Sequence, residues 1–262
     1  MSVNSNFPIL EVNHVTVMRG SDVAVEKASF TIDTGDYVGI VGPNGGGKTT
    51  LLSAILNFLP IASGQIKLFG VDIGKFTSWE KIAYISQQAT NFESQFPLTV
   101  RELVSLGCIR KGNIGRMFHR DDWAAVDDSI KFMGLTDIAD RRIGQLSGGQ
   151  KQRVFVAKAL ARKPEVIFLD EPIVGVDSDA QERFYKKLSD LNTECQTTIL
   201  LVTHDLASVF CRMSKVLCVN KKVEVANITE ELDPNSLLKR AYGEHFHFVF
   251  HRHTCSGAFH NE

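Results

Sequence analysis

Short runs of consecutive apolar residues recur along the chain, separated by stretches with helical spacing. Tyr37–Val41, Ile82–Ser86, Val166–Leu169, Thr198–Val202 and Val216–Val219 are each too short for a helix. Continuous apolar runs of this length fit strands buried on both faces. Nearer the start, Ile9–Val17 alternates loosely and Ala28–Ile32 is a second apolar segment; a turn at Arg19-Gly20-Ser21 joins them. Gly64–Gly70 reads as a short strand between glycines. Helical spacing is carried by Leu51, Leu52, Ile55, Leu56 and Leu59, stopping at Pro60. Val154, Ala157, Leu160 and Ala161 form a second such series before Pro164, and an amphipathic helix lies around Gln181 to Leu191. Strands alternating with helices predict an α/β fold with a mainly parallel sheet. From Thr90 to about Ala161 the strand-like runs vanish. There Val100, Leu103, Val104 and Leu106, then Ile130, Met133 and Leu135, predict helices, so this segment reads as a helical insert with an extended lead-in at Gln95–Thr99.

Composition narrows the class. A chain of 262 residues can build a sizeable core plus a subdomain, and 44% hydrophobic with 23% charged residues is ordinary for a globular protein. No apolar run approaches the ~18 residues that span a bilayer, and the start lacks the basic-then-apolar pattern of a secretory signal. The cysteines at 108, 195, 211, 218 and 255 form no C-x-x-C and are odd in number, which argues against a disulfide framework and for a reducing, cytosolic compartment. A formal net charge of −1 gives no reason to expect nucleic acid as a partner. The basic turn Arg110–Arg116 lacks interleaved aromatics and reads as solvated. A membrane role would have to come through a partner.

The chemistry centres on Gly42-Pro43-Asn44-Gly45-Gly46-Gly47-Lys48-Thr49-Thr50, which fits the phosphate-binding pattern G-x-x-x-x-G-K-[ST] between a strand and a helix. Glycines let backbone N–H groups close around an anion, and the helix N-terminus adds partial positive charge. Lys48 would reach the β- and γ-phosphates, and the Thr49 hydroxyl would ligate Mg²⁺. Val166–Leu169 ends in Asp170-Glu171, and the C-terminal ends of parallel strands face the ligand. Asp170 suits a Mg²⁺ contact through water, and Glu171 suits a base that positions the attacking water. Leu146-Ser147-Gly148-Gly149-Gln150 precedes a helix; Ser147 reads either as a plain N-cap or as the start of a second phosphate-binding N-terminus. His204 follows a strand end, where a satisfied polar group and a catalytic one are both open readings.

Together, Gly42–Thr50, Gln87, Leu146–Gln150, Asp170-Glu171, Gly175-Val176-Asp177 and His204 stand in the order and spacing of ABC-transporter ATPase subunits, which residues 8 to 225 closely resemble. The resemblance implies a P-loop NTPase core at 1–87 and 161–230 that includes an N-terminal antiparallel β subdomain. It also implies an inserted helical subdomain at 88–160, leaving a C-terminal extension at 231–262. Gln87 would touch Mg²⁺ and the attacking water and sense the membrane partner. Ser147, Gly148, Gly149 and Gln150 would meet ATP bound to the opposite subunit, Asp177 would line the dimer interface, and His204 would hold the γ-phosphate and help position Glu171. The implied assembly is a homodimer enclosing two ATP molecules, docked on a membrane permease at the cytoplasmic face and served indirectly by an extracytoplasmic metal-binding protein. Arg19 stands where the family often has an adenine-stacking aromatic, and a guanidinium can stack on a base.

The triple glycine Gly45–Gly47, the lead-in Phe96-Pro97-Leu98-Thr99-Val100 and the segment Pro172–Asp177 resemble the zinc/manganese branch of these importers. Independently, His245, His247, His251 and His253 share one parity while Phe246, Phe248 and Phe250 share the other. This reads either as a strand docked by its phenylalanines or as a transition-metal site, since imidazole suits zinc. The alternatives are an importer of another substrate and an ATPase acting on nucleic acid or ribosomes. The second would usually carry paired ATPase halves, a coiled coil or basic extensions, and none is present.

Overall fold

A computed structural model describes residues 8–87, 89, 97–109, 117–173, 177–243 and 246. In chain order the strands and helices are β1 (Pro8–Arg19), β2 (Asp22–Asp33), β3 (Tyr37–Val41), α1 (Lys48–Ile55), β4 (Ser63–Leu68), β5 (Val71–Asp72) and β6 (Ile82–Ile85). They continue with α2 (Val100–Ser105), α3 (Arg120–Phe132), α4 (Gly148–Leu160), β7 (Val166–Asp170), α5 (Ser178–Cys195) and β8 (Thr198–Val202). The last are α6 (Leu206–Arg212), β9 (Lys215–Asn220), β10 (Lys222–Asn227) and α7 (Pro234–Tyr242). Residue contacts divide the chain into two compact units, residues 1–77 with 191–262, and residues 78–190.

The first unit contains an antiparallel sheet in the order β2-β1-β4-β5. β1 and β2 are longer than the apolar pattern marks, because their ladder continues through polar residues to the Arg19↔Asp22 pair. Register shifts interrupt that ladder, and His14 (φ 49°) and Lys27 (φ 45°) sit at the shifts in left-handed conformations. In the same unit β3 runs parallel to both β8 and β9, and β10 closes the edge by pairing antiparallel to β9. Every residue of β3 and β8 is buried, as an interior parallel strand requires. Lys215 at the start of β9 is buried and ion-paired to Asp36 at 2.8 Å and to Asp33 at 3.5 Å, which anchors the β2–β3 turn.

α1 ends at Ile55, short of Pro60. Asn57 turns left-handed at φ 58°, and the N–H groups of Phe58 and Leu59 fold back onto the Ser53 carbonyl. Leu59 therefore lies outside the helix although its spacing fits.

The second unit pairs β6 parallel to β7, again buried along the whole of β7. Between them, the regular structure in the described part of residues 90–161 is helical, apart from an isolated bridge Thr99↔Arg142. α2 begins with a full capping box: the Thr99 hydroxyl accepts from Glu102 N–H, and Glu102 accepts from Thr99 N–H. α3 stops at Met133, and Gly134 follows at φ 64°. Val126, Ile130, Val154 and Ala157 are all buried where α3 and α4 pack together.

Candidate functional site

In the first unit, β3 delivers the glycine loop and α1 receives it. Gly42 has φ 149°, and a Cβ there would meet the Val219 carbonyl oxygen at 2.0 Å. Gly47 has φ 104° at the N-cap of α1 and leaves no side chain over the first turn of the helix. The first N–H groups of α1 are thus presented to an anion rather than to a cap. A Cβ at Gly45 would meet nothing within 4 Å, so this part of the loop is open. Lys48 is buried, and its ammonium donates to the Gly42 carbonyl at 2.9 Å and to the Pro43 carbonyl at 3.1 Å. It is a cation held on its own loop. Thr49 is exposed beside it and Thr50 is buried; Pro43 is half-buried and Asn44 exposed. The loop is braced from behind where Lys221 N–H donates to the Gly46 carbonyl at 2.8 Å.

Arg19 is exposed at the end of β1. His204 is exposed just past β8, where its carbonyl accepts from Leu206 N–H at 3.1 Å as α6 begins.

In the second unit, β7 carries Asp170 to its end, 3% exposed. Burial first, and then the Asp170 charge, hold the Tyr84 phenol above its ordinary value. Glu171 follows at φ 47°, a conformation that costs a non-glycine residue ~1–3 kcal/mol and clusters at working sites. Gln87, two residues past β6, donates from Nε2 to Glu171 Oε2 at 3.0 Å. The structure thus brings together two predicted residues that are 84 positions apart.

Ser147 caps α4: its Oγ accepts from Gln150 N–H at 3.3 Å, and Gln150 Oε1 accepts from Ser147 N–H at 2.9 Å. Ser147 and Gly148 are nevertheless exposed, and Gly149 is half-buried. Asp177 caps α5 by accepting from Ala180 N–H at 2.8 Å. Gly175, Val176, His245, His247, His251 and His253 lie outside the described residues.

The donors present fit a phosphate ester with a hard cation. Within the first unit, the open N–H groups at the start of α1, the Lys48 ammonium and the Thr49 hydroxyl are groups that suit a phosphate ester. Within the second, Asp170 offers a carboxylate, the oxygen donor type that Mg²⁺ prefers.

One contact has no counterpart in the sequence reading. Tyr242, at the end of α7, accepts a hydrogen bond from Gly42 N–H at 2.9 Å. Its only mark in the sequence is an aromatic residue at the end of an amphipathic helix, which does not name its target.

Residues 25–174, more than half of the chain, match the ABC transporter family. The chain is 42% identical over 215 residues to the zinc uptake system ATP-binding protein ZurA of Listeria innocua, covering 82% of this chain and 84% of the relative. It is 35% identical over 235 residues to the manganese transport system ATP-binding protein MntA of a Synechocystis strain, covering 89% and 90%. Among solved structures, cbiO1 of Clostridium perfringens, part of an ABC transporter complex, superposes with a TM-score of 0.76 at 27% identity over 89% of this chain and 94% of that one. With the phosphate loop, the Gln87–Glu171 pair and the Ser147-capped helix in place, the chain belongs to the ABC transporter family, as one of its ATP-binding cassettes.

Proposed function

We propose that this cassette hydrolyses ATP to drive the uptake of a divalent transition metal, zinc or manganese, through a separate membrane permease. The observation that carries the hydrolytic reading is the Gln87–Glu171 hydrogen bond, which orients the carboxylate of a residue with left-handed backbone directly after the buried Asp170. The cargo reading is supported by the names of the zinc and manganese relatives.

Lys48 exchanges its loop carbonyls for the β- and γ-phosphates, a charge-assisted contact stronger than the ones it gives up. Glu171 orients the attacking water and takes its proton, with Gln87 fixing the carboxylate. His204 holds the γ-phosphate. Thr49, Gln87 and Asp170 are the residues that would hold Mg²⁺, which would supply positive charge to the phosphates. Ser147, Gly148 and Gly149 of a second copy complete each site, a reading supported by the exposed start of α4. Asp177 lines that interface, Gln150 supports Ser147 within it, and Arg19 lies against the base.

Among the described residues no helix is long and apolar enough to cross a membrane; in this reading the membrane path belongs to the permease. A cavity of about 360 Å³ lined by Tyr84, Ser86, Ala89, Leu106, Phe155 and Lys158 supports docking of that partner beside Gln87. An extracytoplasmic metal-binding protein would deliver the cargo to the permease.

The test is Glu171→Gln. The variant is expected to keep ATP binding, to lose ~10²- to 10⁴-fold in hydrolysis, and to accumulate as a nucleotide-bound dimer in gel filtration. Hydrolysis at the wild-type rate would remove Glu171 from this role.

A further inference from the structure

A phosphate loop built from glycines has little intrinsic stiffness, because each glycine carries the largest backbone entropy of any residue. Its shape depends on what pins it. Lys48 pins the Gly42 and Pro43 carbonyls, but only until the ammonium moves to phosphate. Lys221 N–H pins the Gly46 carbonyl at 2.8 Å. Tyr242 Oη accepts from Gly42 N–H at 2.9 Å across 200 residues of sequence. This contact uses the Gly42 N–H, not the carbonyl that Lys48 holds, so it need not break when nucleotide arrives.

The hydroxyl is well placed to be a fixed post. α7 packs on β9 and buries Leu237, Leu238 and Ala241. Asn220 Nδ2 donates to the Ala241 carbonyl at 2.9 Å, tying the end of α7 to the β9–β10 turn that also supplies Lys221. The Tyr242 ring stacks on Phe246 with centroids 4.6 Å apart and planes 23° from parallel. Burial holds the phenol above its ordinary value despite the opposing pull of the Gly42 bond, so the hydroxyl stays neutral through the physiological range.

We propose that Tyr242 is a positioning residue for the phosphate loop: its hydroxyl holds Gly42 in the nucleotide-ready conformation and links ATP affinity to the docking of α7. The proposal rests on the nucleotide reading above.

Tyr242→Phe removes only the hydroxyl and keeps the ring stack. The test titrates a fluorescent ATP analogue with Mg²⁺ into the full chain carrying Glu171→Gln, so that nucleotide is not consumed. Tyr242→Phe is expected to raise Kd about fivefold, equivalent to ~1 kcal/mol, and to speed hydrogen exchange at Gly42. Arg240→Ala, a change on α7 that removes only an exposed bridge to Glu224 of β10, is expected to bind like the parent. An unchanged Kd for Tyr242→Phe overturns the proposal. So does equal weakening in both variants, which would mark a general loosening of α7. If Tyr242→Phe does not fold, exchange in the unaltered chain decides: Gly42 protected in step with α7 supports the link, and Gly42 exchanging freely while α7 stays protected overturns it. Should the parent not bind the analogue while its fold is intact, the nucleotide reading itself has failed and the proposal falls with it.

Discussion

Two glycines of one loop are expected to tolerate alanine very differently. Gly42 and Gly45 both have positive φ, 149° and 75°. Alanine at either position meets a conformation that L residues rarely adopt, at a cost of ~1–2 kcal/mol. At Gly45 that is the whole cost, because no atom lies within 4 Å of the added methyl. At Gly42 the methyl would sit 2.0 Å from the Val219 carbonyl oxygen, a full ångström inside the 3.0 Å that real Cβ atoms respect. Neither side can yield cheaply. Val219 is paired to Val223 in the β9–β10 ladder, and Gly42 is held at its N–H by Tyr242 and at its carbonyl by Lys48. Overpacking of this kind adds ~1–3 kcal/mol, so Gly42→Ala should lose about 2–5 kcal/mol against about 1–2 for Gly45→Ala. The assay must watch the right unit. Trp79 and Trp123 both fall in residues 78–190, so tryptophan fluorescence follows the other unit. Urea unfolding followed by hydrogen exchange at β8, β9 and β10 reports the unit that contains the loop. Equal losses in the two variants would refute the crowding argument.

Other consequences follow from single groups. Lys48→Met should leave the fold standing and weaken ATP binding roughly 10²- to 10³-fold, because charged hydrogen bonds to the phosphates are lost; isothermal titration reads this directly. Cys218 is buried, and burial first, then the Glu224 charge, push its thiol up to about 12. Its folded pKa lies above its unfolded value, so its stabilising contribution is intact below about pH 8.5 and is lost as pH rises through the folded value. Melting temperature should therefore fall more steeply above pH 9 in the wild type than in Cys218→Ala. Thiol reagents at pH 8 should label the exposed Cys195 and spare Cys218.

The elements that sequence pattern exposed are those whose whole length carries one signal. β3, β7 and β8 are continuous apolar runs because both their faces are buried, and the runs end where the functional residues begin. The Ser147 cap is readable because serine is a favoured N-cap residue directly before a helical series; the Gln150 half of its capping box is seen only in the structure. β10, in contrast, is an edge strand of half-exposed and charged residues, and its position comes from pairing to β9 rather than from its own pattern. α6 is seven residues long, too short to establish a period. The left-handed Glu171 backbone and the left-handed stop at Asn57 leave no trace in composition, since tertiary context imposes both. Tyr242 is the extreme case: a hydrogen bond to a loop 200 residues away is set by packing of α7 on β9, which no local window contains.

The central claim is that hydrolysis at Glu171 powers metal uptake. It is tested most directly by uptake of labelled zinc and manganese in cells lacking this chain, complemented with wild type or with Glu171→Gln at matched expression. The account predicts that wild type restores uptake of one of the two metals and that Glu171→Gln restores neither. Uptake that is indifferent to the chain would contradict the metal assignment, and equal restoration by Glu171→Gln would contradict the coupling of transport to this carboxylate.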